Sequence, residues 1–164
     1  MAGRNLELRP REEGTRDKAK IPVVRFPLDK ITEHFQENIS AVRGQFAVAE
    51  ENIWRSQIVF LESALDFFMH ELTKYGLCEI HAGSWNSTVK YENIMVHMGV
   101  VEAAMRDRDS DAWFLDFIND TYGTVTMASW DTVKDQISLL GMDVMQIAKD
   151  AFWEQGSSEK PRDK

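Results

Sequence analysis

The stretch Arg55 to Glu71, RSQIVFLESALDFFMHE, is the feature that most constrains the fold. Wound as a helix at about 100° per residue, it is apolar over more than half of its circumference. Ile58, Leu61, Leu65, Phe68 and Leu72 fill one side, and Phe60, Ala64 and Phe67 fill the next. A narrow polar stripe remains, holding Arg55, Glu62, Asp66 and His70 at spacings of seven, four and four. A helix that is apolar nearly all round belongs inside a bundle. Buried charge is costly unless it is paired, so this stripe is either a structural network or a site.

The rest of the chain reads as helical. Ile31, Phe35, Ile39, Val42, Phe46, Ala49 and Ile53 recur at steps of three and four, the mark of an amphipathic helix. Gly44 weakens it by about 1 kcal/mol relative to alanine. A break near Glu51–Asn52, with Asn52 as N-cap, would let the two long helices fold back as an antiparallel hairpin. Gly76 is placed to end the second helix, and residues 78–93, rich in Gly, Ser, Asn and Thr, read as a loop. The run IMVHMGVV, Ile94 to Val101, is apolar without a clear period. Ser110 or Asp111 caps a short helix carrying Trp113, Phe114, Phe117 and Ile118. Ser129 caps another that runs through Leu140 and ends at Gly141, and Asp143 caps a last one through Phe152.

The expected fold is therefore an all-α helical bundle. It has two long helices, about 28–51 and 53–75, and several short ones. The domain is expected over 21–154. Residues 1–20 and 155–164, charged and poor in apolar residues, are expected as disordered tails.

Composition narrows the function classes. With 43% hydrophobic residues in 164, one domain can build a true core. There are 19 basic residues against 27 acidic ones, a net −8, which argues against broad electrostatic binding of nucleic acid. The first twenty residues carry six Lys/Arg against four acids, so the remainder is more acidic still. A single cysteine, Cys78, excludes an internal disulfide framework and a cysteine-based zinc site. No apolar run reaches the roughly 18 residues of a membrane span, and the charged N-terminus has no signal-peptide core. A cytoplasmic setting with no membrane partner is the expectation.

Asp66 and His70 are four apart, so their side chains lie over one another on a helix. A carboxylate there can orient an imidazole and raise its pKa for general acid–base work. The same spacing is equally that of a structural Asp–His hydrogen bond. Glu62, Asp66 and His70 could also ligate a metal, but helical di-metal sites use Glu-x-x-His pairs on two helices, and none is present here. No metal and no cofactor are expected. Of the other histidines, His34 is expected in solvent, His81 in a loop and His97 as a satisfied core residue. Nucleophile elbows and phosphate-binding glycine loops are absent, and the aromatic residues fall mainly at core spacings.

The block Trp54 to Leu72, WRSQIVFLESALDFFMHEL, resembles the second helix of HEPN domains, nearest to their prokaryotic RiboL-PSP-HEPN branch. Trp113–Ile118, Thr124–Met127 and Ile137–Gly141 extend the resemblance over roughly residues 25–154. It implies a helical bundle that often dimerises. It also implies a metal-independent endoribonuclease of a toxin–antitoxin, phage-defence or RNA-processing system, with RNA as partner. The hallmark of that family is Arg-X4–6-His on a late helix, shared between two copies. This chain departs from it: no arginine precedes a histidine at that spacing, and Lys90 to His97 offers lysine, not the forked guanidinium. The hallmark helix is expected to begin where this chain ends in EKPRDK. Arg55, Asp66 and His70 are the positions the resemblance carries over as catalytic candidates in an assisting role. Without its last helix, the bundle is expected to expose an apolar groove filled by a second copy or a partner helix. The competing expectation is a non-catalytic helical interaction or dimerisation module, favoured by the missing hallmark and the acidic surface.

Overall fold

A computed structural model describes residues 22–45 and 50–156. The expected tail 1–20 lies outside the described residues, as does all but the start of the expected tail 155–164. The described chain is all-α. Its helices are α1 (Leu28–Gly44), α2 (Glu51–His81), α3 (Val89–Glu92), α4 (Met98–Arg106), α5 (Ala112–Tyr122), α6 (Trp130–Leu139) and α7 (Val144–Gly156).

Helices α1 and α2 form the antiparallel hairpin that the two apolar stripes predict. Arg25 just before α1 pairs with Glu79 near the end of α2, while Phe35 near the middle of α1 packs its ring against Phe68 at 4.5 Å. Later positions in α1 therefore meet earlier positions in α2. Ile31 and Val42 are the buried contacts of α1.

Two boundaries differ from the sequence reading. The described part of α1 stops at Gly44, and α2 begins at Glu51 with Glu50 as its N-cap, so Asn52 lies inside the helix. At the other end α2 continues through Gly76 to His81. Gly76 is not a cap. A Cβ on it would stand 2.7 Å from a Leu140 methyl carbon and 2.9 Å from the Trp85 ring, so the glycine is there for close packing of α6's end and the loop against α2. Helix α2 ends instead at His81, and Gly83, whose φ is +75°, turns the chain after it.

The short helices pack over the C-terminal half of α2. Leu77 and Ile80 of α2 join Phe114, Phe117 and Ile118 of α5 and Leu139 and Leu140 at the end of α6 in the main core. A smaller core gathers Met69, Met127 and Val133, with Leu65 and Phe68 against it. The caps of α6 and α7 act where the sequence places them, whereas Asp111 starts α5 without a side-chain cap bond. The Ser129 hydroxyl accepts from the Thr132 amide at 3.2 Å, and Asp143 Oδ1 accepts from Met145 and Gln146 at 2.9 and 3.1 Å. Gly141 turns the chain after α6 at φ +77°, with the methyl of Thr88 close by, and Thr88 donates to the Leu139 carbonyl at 2.9 Å.

Nearly all-round burial of the Arg55–Leu72 segment does not hold for its first half. Trp54, Ile58, Val59 and Phe60 are all more than half exposed. The reason is length. Helices α5 and α6 have 11 and 10 residues against 31 in α2 and are packed on its far half. Among the described residues the near half keeps one covered side, that of the buried Gln57 and Ala64.

Candidate functional site

A cleft of about 470 Å³ opens between the middle of α2 and the end of α5. Glu62, Asp66 and His70 share one face of α2, four residues apart, and line it together with Ser63, Glu71 and Lys74. The opposite wall is Asn119, Tyr122 and Gly123 at the end of α5, with Thr126 beyond.

Asp66 divides its carboxylate. Oδ2 lies 3.3 Å from His70 Nε2, and Oδ1 accepts the Met127 backbone N–H at 2.8 Å. The second bond ties the connection between α5 and α6 to α2 across 61 residues of sequence, beside the fully packed Met127 side chain. His70 is largely shielded and Asp66 is about one-third exposed. The pair can orient an imidazole toward the cleft, and it equally clamps the bundle.

One turn further, Glu71 and Lys74 form a buried ion pair at 2.7 Å, and Lys74 Nζ also donates to the Val24 carbonyl at 3.2 Å. This holds the segment before α1 to the middle of α2. The second Glu71 oxygen is buried without a hydrogen-bond partner. Among the described residues Lys74 is the one lysine or arginine lining the cleft, against Glu62, Asp66 and Glu71. Burial pushes the Tyr122 hydroxyl above its ordinary range, so at neutral pH the phenol is a donor and not an anion.

The structure brings Asp66 and His70 together and leaves Arg55 apart. Arg55 stands eleven residues before Asp66, about 16 Å along the axis. It is exposed and paired with Glu51 one turn earlier. Glu71, Lys74, Asn119 and Tyr122 did not emerge from the sequence. Opposite charges three apart inside an apolar run were a readable signal for Glu71–Lys74. Nothing local marks Asn119 and Tyr122, because only packing of α5 on α2 carries them to the cleft.

The remaining histidines differ from expectation. His34 is half-buried between the Phe26 and Phe67 rings, at 5.8 and 6.3 Å, because the turn before α1 folds over it. His97 is exposed as the N-cap of α4 and no core residue, while Ile94 and Val100 on either side of it pack against the main core. His81 belongs to the last turn of α2. It stacks on Phe114 at 4.0 Å and lies 3.3 Å from the Tyr91 hydroxyl and 3.7 Å from Asp111. Cys78, one turn before it, is half-buried, and burial raises its thiol above the ordinary value. A nucleophilic cysteine needs the opposite shift.

Among the described residues no three His, Cys, Asp or Glu side chains converge so as to hold a metal ion. None of the described helices is long and apolar enough to cross a membrane. No family model matches the chain, and no curated protein and no solved structure is found similar to it.

Proposed function

We propose that this chain is a helical interaction module of a cytoplasmic assembly, docking through the first half of α2. The observation that carries the reading is the exposed apolar surface there. Trp54, Ile58, Val59 and Phe60 lie within two turns, exposed by 52%, 65%, 60% and 57%. Isolated exposed apolar side chains need no explanation, but Trp54 and Ile58 lie one turn apart on one face, with Val59 and Phe60 exposed beside them in the same two turns, and such a density of large apolar side chains marks a contact surface. The cleft supports the same reading. Its carboxylates outnumber its single lysine, which is itself held by Glu71, so a phosphate entering it meets net negative charge.

The test is a photo-crosslinking amino acid at position 58 in cells that make the protein, beside the same group at Gln36 on the exposed side of α1. Crosslinks confined to position 58 are expected. Equal yields at both positions, or none at either, would remove the docking role.

A second reading rests on Asp66 and His70 meeting at the cleft mouth. It is the HEPN-like one: metal-independent RNA cleavage in a prokaryotic defence or toxin-type system, with Asp66 orienting His70 as general acid–base and a phosphate-binding cation supplied by another chain. Incubation of the purified protein with a mixed RNA pool, with and without chelator, decides it. Cleavage that survives chelator and vanishes in His70→Ala supports this reading, and intact RNA throughout rejects it for the isolated chain.

A further inference from the structure

The exposed half of α2 carries a second pattern that identifies its occupant. Trp54, Ile58, Leu61 and Leu65 follow one another at steps of four, three and four, the spacing of a seam that packs against another helix. From Leu65 onward the seam is covered by Met127 and its neighbours; before it Trp54 and Ile58 stand more than half exposed, while Gln57 and Ala64 on the adjoining flank are buried within the chain. The open flank of the seam carries two charges of opposite sign, Arg55 and Glu62.

We infer that a second copy of this chain covers the seam, with the two α2 helices antiparallel about a two-fold axis near residues 59–60. The charges select this arrangement. In antiparallel pairing the open flanks of the two helices face each other, and Arg55 of each copy meets Glu62 of the other, twice by symmetry. Parallel pairing sets the charged flank against Gln57 and Ala64, which carry no charge, and places like charges level. Ile58 then packs against Leu61 of the second copy, and Trp54 against the part of its half-buried Leu65 that Met127 leaves open. Both charges are available. Arg55 leaves only a fully surface-exposed pair with Glu51, and such pairs hold weakly. Glu62 is exposed and has no ion pair among the described residues. The overlap is about three turns of helix, so the dimer is weak and reversible.

This inference rests on the docking reading above and names its partner. The test is sedimentation equilibrium of the full chain into the sub-millimolar range, with circular dichroism to confirm that each variant is folded. A concentration-dependent dimer is expected. Arg55→Glu and Glu62→Arg each raise its dissociation constant by about tenfold or more, and the double exchange returns it close to the original value. A monomer at every concentration overturns the pairing. So does a dimer indifferent to the single exchanges or not restored by the double one. Position 58, on the seam itself, separates the two levels: crosslinks to other proteins from a strictly monomeric chain overturn self-pairing and keep the docking role, whereas no crosslink at all removes both.

Discussion

Asp66 shows how one carboxylate carries two readings that spacing alone cannot separate. The i,i+4 relation to His70 is legible in the sequence, but the bond to the Met127 amide is not, because its partner is 61 residues away. That amide sits beside a buried side chain, where an unpaired N–H is expensive. Asp66→Ala is expected to lower stability by about 2 kcal/mol, and Asp66→Asn, whose amide oxygen still accepts, by less than half of that. Urea midpoints at constant m-value measure both, and an alanine variant as stable as the parent would show that the clamp contributes nothing. Cys78 gives a second test at this scale. Its thiol is raised chiefly by burial, against a smaller opposing pull from Arg25. The folded chain thus keeps a proton that the unfolded chain loses near its ordinary value of about 8.5. The contribution to stability is complete below that pH and is lost as pH rises toward the folded value. Alkylation by iodoacetamide is expected to show its pH midpoint above that of the same chain in denaturant, and a midpoint at or below it would contradict the burial.

Element boundaries divide into those with local causes and those without. Ser129, Asp143 and Gly141 act where the sequence places them, since a cap is a contact among neighbours. Gly76 misleads for the converse reason. Glycine after an apolar run is the common sign of a helix end, yet here it makes room for Leu140 and Trp85, residues that arrive from later in the chain. The two effects of replacing it can be weighed. Alanine would gain about 1 kcal/mol of helix propensity, while overpacking at a contact this close costs about 1–3 kcal/mol. Leu140 is buried and Trp85 is held against Tyr75 at 5.9 Å, so neither yields freely. Gly76→Ala is expected to be destabilising by about 1 kcal/mol. Thermal unfolding checks the sign, and a stabilised variant would mean that the true role is a propensity defect with no packing reason. The long helices and their amphipathic faces were legible because each face repeats over many turns. Their extents were not, because extent is decided by which short helix covers which turn.

At the scale of the molecule, the mismatch between one long helix and its short covers produces two regions of unequal strength. The second half of α2 is enclosed by α1, α5 and α6 and holds the main core, whereas the first half has α1 on one side and exposed apolar side chains on the others. Helix α2 is continuous through both halves, so opening is governed by tertiary burial. Native-state hydrogen exchange reads this directly. At low concentration the amides of residues 54–62 are expected to exchange faster than those of 69–80 by about tenfold or more, a gap of at least 1.4 kcal/mol in local opening. Raising the protein concentration then discriminates between two origins of the exposed face. If a second copy covers it, protection of 54–62 rises with concentration while 69–80 stays fixed, since only the first segment lies in the contact. If the face serves an unrelated partner, both segments keep their rates at every concentration. Uniform protection along α2 at low concentration would contradict the two-region structure itself, because it would require cover over the first half that the described helices do not provide.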